Sequence, residues 1–217
     1  MFTDLAGAAR EIARMRIGSK LDESPAAVLD ASERRGSKRT LTVYRVVRVE
    51  REGDEGFARC RNISDSGMKL DIAMPIELNE IVTVTFSPTF KLSGKVVWVN
   101  GHECGVAFDG TIDSAALLSH SSAEVHCDGY REPRLPLNVS ARLRCSGYAQ
   151  QTTINDISLH GMKLTHDGTL HPGLYVRVEM SCGLQKIAMV RWTKGNLAGL
   201  FLLEPFGVDD LGSIRTL

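Results

Sequence analysis

ISDSGMKL at residues 63–70 returns as ISLHGMKL at residues 157–164. The same displacement of 94 positions, from 63 to 157, carries Trp98 in KVVWVNGHECGVAF onto Trp192 in AMVRWTKGNLAGLF, and Gly105 onto Gly199. A register held from residue 63 to residue 108 without insertion marks one domain copied once. Two copies of this length describe tandem domains rather than a solenoid, whose units are shorter and more numerous. The 217-residue chain has room for both, each able to bury its own core.

Around the repeat, short runs rich in valine, isoleucine, threonine and aromatics alternate with Gly, Asn, Asp and Pro. In the first copy these are LTVYRVVRV, FARCRN, MKLDI, IVTVTF, KLSGKVVWV and CGVAF, which predict six strands. In IVTVTF, Val82, Val84 and Phe86 alternate with Thr83 and Thr85; in VRVEM of the second copy, Val176, Val178 and Met180 alternate with Arg177 and Glu179. A period of two gives one buried and one wet face. Closing such a sheet into a small barrel removes its exposed edges. The fold class is therefore all-β: two tandem six-stranded barrels with short flanking helices. Thr3 can cap a helix whose Leu5, Ile12 and Met15 share one stripe. TIDSAALLSHSSAE reads as a second helix capped by Thr111 or Asp113. The expected division is a helical segment over 1–30, a first barrel over 31–112, a helix and linker over 113–127, and a second barrel over 128–217.

Composition bounds the function. Lysine plus arginine equals aspartate plus glutamate at 26 each, and aromatics are 6%, so neither the field nor the stacking surface for a nucleic-acid polymer is indicated. No apolar run is long enough for a membrane helix, and the N-terminus lacks the continuous apolar stretch of a secretory signal. The cysteines Cys60, Cys104, Cys127, Cys145 and Cys182 are odd in number and contain no CxxC pair, which fits a reducing cytoplasm. Asn62 and Asn138 match the N-glycosylation pattern, but a chain that is not secreted is not modified there. The six histidines show no metal spacing, and Ser64 and Ser158 have no evident base, so the reading is a non-enzymatic protein without a metal cofactor. Trp98 and Trp192, at one repeat position in a strand, are expected in the two cores.

Two features converge on a site. ERRGSKRTL places Arg35 and Arg39 four residues apart on a glycine-containing approach to the first strand, and RNISDSGMKL follows about thirty residues on. Arg-x-x-x-Arg alone marks a solvated face, and Asn-x-Ser-x-x-Gly alone a hairpin turn. In this order, inside a duplicated barrel, they resemble the PilZ family and its cyclic di-GMP site. A cyclic dinucleotide presents two phosphates and two guanines, so its receptor needs planar cations that fork onto phosphate and stack on purines, which arginine does and lysine does not. The resemblance implies that Arg35 and Arg39, with Arg34 adjacent, grip phosphate and guanine. It further implies that Asn62 and Ser64 hydrogen-bond the base, and that Gly67 lets the backbone turn and leaves room for the ligand or the arm. Family members often carry aspartate at the position of Asn62.

The second copy keeps its strand motif as Asp156, Ser158 and Gly161, but its arm, GYREPRLPL, differs. Arg134 aligns with Arg39, Tyr130 takes the place of the earlier arginine, and Arg131 stands one step out of register. Arg131, Arg134, Asp156, Ser158 and Gly161 form a possible second site in a domain that is degenerate or serves interaction. The expected function is a cyclic di-GMP receptor: ordering of the first arm alters the angle between the barrels and signals to a protein effector. A ligand-independent adaptor is the alternative, though family members of that kind usually lack the full motif pair.

Overall fold

The structure, a computed structural model, describes residues 39–87, 89–125, 132–145 and 147–217, and gives no side-chain placement for 39–41 and 125. The helix expected around Leu5–Met15 and the arginines at 34, 35 and 131 lie outside the described residues.

The first barrel is built from β1 (Arg39–Arg51), β2 (Asp54–Ser64), β3 (Gly67–Ile72), β4 (Ile81–Ser87), β5 (Phe90–Asn100) and β6 (Glu103–Phe108). They close in the order β1-β2-β3-β6-β5-β4. The second uses β7 (Leu135–Cys145), β8 (Tyr148–Ile157), β9 (Gly161–Thr165), β10 (Tyr175–Met180), β11 (Gln185–Lys194) and β12 (Leu197–Leu202). Its order, β10-β11-β12-β9-β8-β7, is the same closure. All pairings are antiparallel. The six expected strands of the first copy are all present, and the alternating residues behave as their period dictates. Val82, Val84 and Phe86 are buried with Val47, Val49 and Leu70, whereas Val176, Val178 and Met180 are buried with Leu143, Ile154 and Leu164.

The helix α1 (Ser114–Val125) follows the first barrel, and Asp113 caps it by accepting a hydrogen bond from the Ala116 amide at 2.9 Å. Leu117 is buried in the first core, and Arg45 on β1 donates to the Ser121 hydroxyl at 2.7 Å and to its carbonyl at 3.0 Å. The helix therefore seals the first barrel.

Both barrels lie in one compact unit, residues 37–217. Gly56, Phe57 and Ala58 are buried in succession, which one wet face would forbid. The reason is that β2 is covered twice: Ala58 belongs to the first core, while Phe57 packs into the second domain's cluster with Leu159 nearby. The C-terminal turns Asp209–Leu211 and Ile214–Thr216 complete the contact. The Ser213 hydroxyl donates to buried Asp54 at 2.7 Å, and Arg59 pairs with Asp209 at 2.8 Å. A Cβ on Gly56 would stand 1.9 Å from the Gly212 carbonyl oxygen, so only glycine permits this approach.

Candidate functional site

The strand motif closes a hairpin in each barrel. In the first, Asn62 pairs with Lys69 and Ser64 with Gly67 across β2 and β3. The Ser64 hydroxyl donates to the Gly67 carbonyl at 3.1 Å, and Ser158 repeats the bond to Gly161 at 3.2 Å. The motif serine thus braces the turn with its proton and retains its oxygen as an acceptor. Asp65 ties that turn to α1, accepting from the Ser114 amide at 3.1 Å and hydroxyl at 2.6 Å.

The glycine is not there to turn the chain. Neither Gly67 nor Gly161 has positive φ, so neither is needed to turn the chain. A Cβ would instead lie 2.5 Å from the Val106 carbonyl oxygen at Gly67, and 2.7 Å from that of Leu200 at Gly161. The neighbouring strand forbids a side chain at either position. At Gly161, Arg134 Nη2 lies 3.6 Å and Ser158 Oγ 3.8 Å from the same point, so an arm arginine does pass over the glycine in that copy.

The arms enter at equivalent places. Arg39 stands opposite Ser64, and the pairing of Leu135 with Ile157 sets Arg134 beside Ser158. From 39 to 134 is one residue more than the 94 of the repeat; a bulge between Arg39 and Thr42 absorbs it.

Electrostatically the copies differ. Asp156 is held by Arg134 at 2.5 Å and also by Lys163. Asn62 carries no charge, and Lys69 turns to Glu103 on β6 at 2.7 Å. Beside the second motif, His160 Nδ1 lies 2.6 Å from Glu132 Oε1.

Both tryptophans depart from expectation. Trp98 is 41% exposed and Trp192 44%, and neither belongs to a core. Gly94 and Val96 are buried, so strict alternation would bury Trp98; a register shift between Val96 and Trp98 reverses the phase, as one between Val190 and Trp192 does in the second copy. Each indole lies over the glycine opposite it. A Cβ on Gly105 would be 2.0 Å from Trp98 Nε1, and one on Gly199 2.1 Å from Trp192 Nε1. The indoles therefore line the motif faces. Trp98 and Gly105 border a cavity of about 350 Å³ with Asn62, Ser64, Gly67 and Lys69. Trp192 and Arg191 border one of about 820 Å³ with Arg134, Asp156, Ser158 and Lys163. Sequence reasoning missed Trp98, Trp192, Lys69, Lys163 and Arg191 as lining residues. The signal available was the Trp–Gly spacing, preserved in both copies across the hairpin turn.

Among the described residues no group of three or more His, Cys, Asp or Glu side chains could hold a metal, and no helix is long and apolar enough to cross a membrane. The sequence profile of the PilZ domain matches residues 33–122 and again 130–208. The chain belongs to the PilZ family. The two PilZ segments correspond to the two barrels, with the first extending into α1. No match is found among curated proteins. Three of the similar solved structures illustrate the likeness. The Borreliella burgdorferi PlzA protein in complex with c-di-GMP is 12% identical, with 79% of this chain and 89% of that one covered and a TM-score of 0.35. The Bacillus subtilis inhibitor of motility (MotI/DgrA) is 11% identical, with 78% and 92% covered and a TM-score of 0.33. YcgR from Escherichia coli in complex with c-di-GMP is 12% identical, with 73% and 75% covered and a TM-score of 0.30.

Proposed function

We propose that the protein is a cytoplasmic, non-enzymatic receptor for cyclic di-GMP, with the ligand held by the first PilZ domain. The observation that carries this reading is the strand register that sets Arg39 opposite Ser64, beside Asn62 and Gly67. An arm bearing Arg34, Arg35 and Arg39 then enters the barrel where the motif ends. Its guanidiniums supply the forked, stackable cations that two phosphates and two guanines require. Asn62 offers an amide that donates and accepts, Ser64 an acceptor oxygen, and Trp98 an exposed aromatic face for purine stacking. Ordering the arm on the ligand is the signal, provided the ligand favours the ordered state by its differential affinity.

The ion pairs favour the first domain over the second. Arg134 already neutralises Asp156, so a phosphate would have to share or displace that carboxylate. Asn62 imposes no such competitor on the first arm. Arg131, Arg134, Asp156, Ser158 and Gly161 then form a degenerate site, and the second domain serves interaction with a protein effector.

Isothermal titration with cyclic di-GMP tests the proposal on the wild type, on Arg35→Ala with Arg39→Ala, and on Arg134→Ala. Binding that disappears in the double variant and persists in Arg134→Ala is expected. Wild-type protein that takes up no ligand refutes the receptor reading, whereas loss in Arg134→Ala alone moves the site to the second domain.

A further inference from the structure

The duplication supplies an internal control for surface chemistry. The outer faces of β10, β11 and β12 lie side by side, with Tyr175 opposite Met189 and Met189 opposite Phe201. In the next row Arg177 faces Ile187, whose carbonyl accepts from the Leu203 amide at 3.0 Å. Tyr175 is 59% exposed, Ile187 47%, Phe201 45% and Leu203 49%.

The first barrel has the same pairings at the same offset. Ile81 faces Lys95, Lys95 faces Ala107, Thr83 faces Ser93, and the Asp109 amide donates to the Ser93 carbonyl. Lys95, Ser93 and Asp109 thus stand where the second barrel has Met189, Ile187 and Leu203. The barrel architecture therefore does not demand apolar residues there. Surface apolar groups scattered singly, as exposed Ile81 is beside Lys95 in the first barrel, need no explanation, but the contiguous set in the second marks an interaction site.

Charge selects the occupant. Arg177 and Arg191 border the patch, and among the described residues neither has a carboxylate partner; the Arg191 guanidinium lies 5.9 Å from the Phe201 ring centroid. Beside them a cavity of about 440 Å³ is lined by Tyr148, Tyr175, Arg177 and Ile187. A second copy docking face to face would bring four guanidiniums into one interface, because a two-fold interface uses the same patch on both subunits. We infer that this face of the second barrel docks a protein segment that is apolar and acidic, its apolar side chains on Ile187, Met189 and Leu203 and its carboxylates on Arg177 and Arg191.

The test selects random-sequence peptides displayed on phage against the immobilised full chain, then measures enriched peptides by fluorescence anisotropy. Variants carry the first barrel's residues: Ile187→Ser with Leu203→Asp, Met189→Lys alone, and Arg177→Thr. Enriched peptides combining Asp or Glu with apolar residues, and losing about tenfold or more in affinity to either patch variant, are expected. Arg177→Thr should weaken binding and flatten its salt dependence. Cyclic di-GMP titrates every variant as it does the wild type, which separates a lost surface from a lost nucleotide site. No enrichment, peptides without acidic excess, or equal binding to the variants overturns the inference. So does sedimentation velocity that finds a wild-type dimer dissolved by Ile187→Ser with Leu203→Asp, since the occupant would then be a second copy.

Discussion

Phe57→Ala is the most informative test of how the two PilZ domains are joined. The ring sits on a strand of the first barrel, is 1% exposed, and packs in the second domain's cluster. Removing a buried phenylalanine costs about 3–5 kcal/mol, because transfer and cavity terms add. For a chain of this length, each kcal/mol moves the melting point by about 2–4 °C, so a fall of roughly 6–20 °C is expected. The pattern matters as much as the size. Phe86→Ala, in the first barrel's own core, should lower that barrel's melting and leave the junction intact. Phe57→Ala should separate one calorimetric transition into two, as each barrel loses its neighbour. A shift below about 2 °C with a single unchanged transition would refute the placement of Phe57 between the domains.

Three further outcomes follow from the geometry. Burial pushes the Cys60 thiol up to about 12 and that of Cys104 to about 11, from an ordinary value of 9.0. Because the folded values are raised, the associated stability is full below about 9 and is lost as pH rises toward 11–12; urea melts in mild alkali should show the decline, and their flatness would contradict it. On the folded protein, site-resolved alkylation at neutral pH should label exposed Cys182 and spare Cys60 and Cys104, and prompt labelling of either would contradict their burial. Gly199→Ala sets a methyl 2.1 Å from Trp192 Nε1, so the indole must leave; a shifted Trp192 emission and a loss of about 1–3 kcal/mol are expected, and an unaltered spectrum would contradict the stacking.

The strands were legible because their residues alternate with a period of two, and Val82, Val84 and Phe86 sit where that period puts them. Asp113 was legible as a cap because it accepts from an amide three residues ahead, a strictly local bond. The tryptophans failed for an equally local reason that no side chain announces: one extra residue at Val97 or Arg191 reverses the phase of the strand. Phe57 could not be read at all, because its partner is the other copy and the repeat supplies no counterpart contact. In the site, the motif residues do come together, but their reasons differ. Gly67 yields to the carbonyl of Val106, and Ser64 spends its proton on the turn. The competition of Lys163 and Arg134 for Asp156 depends on side-chain reach across strands, which spacing alone does not give.

The two tryptophans, one at each motif face, allow the central claim to be measured site by site. Trp192→Phe leaves Trp98 as the reporter, and Trp98→Phe leaves Trp192. Titrated with cyclic di-GMP, the protein that retains Trp98 should show saturable change in emission, while the one that retains Trp192 stays constant. A response from Trp192 alone, or from neither, would contradict binding by the first domain.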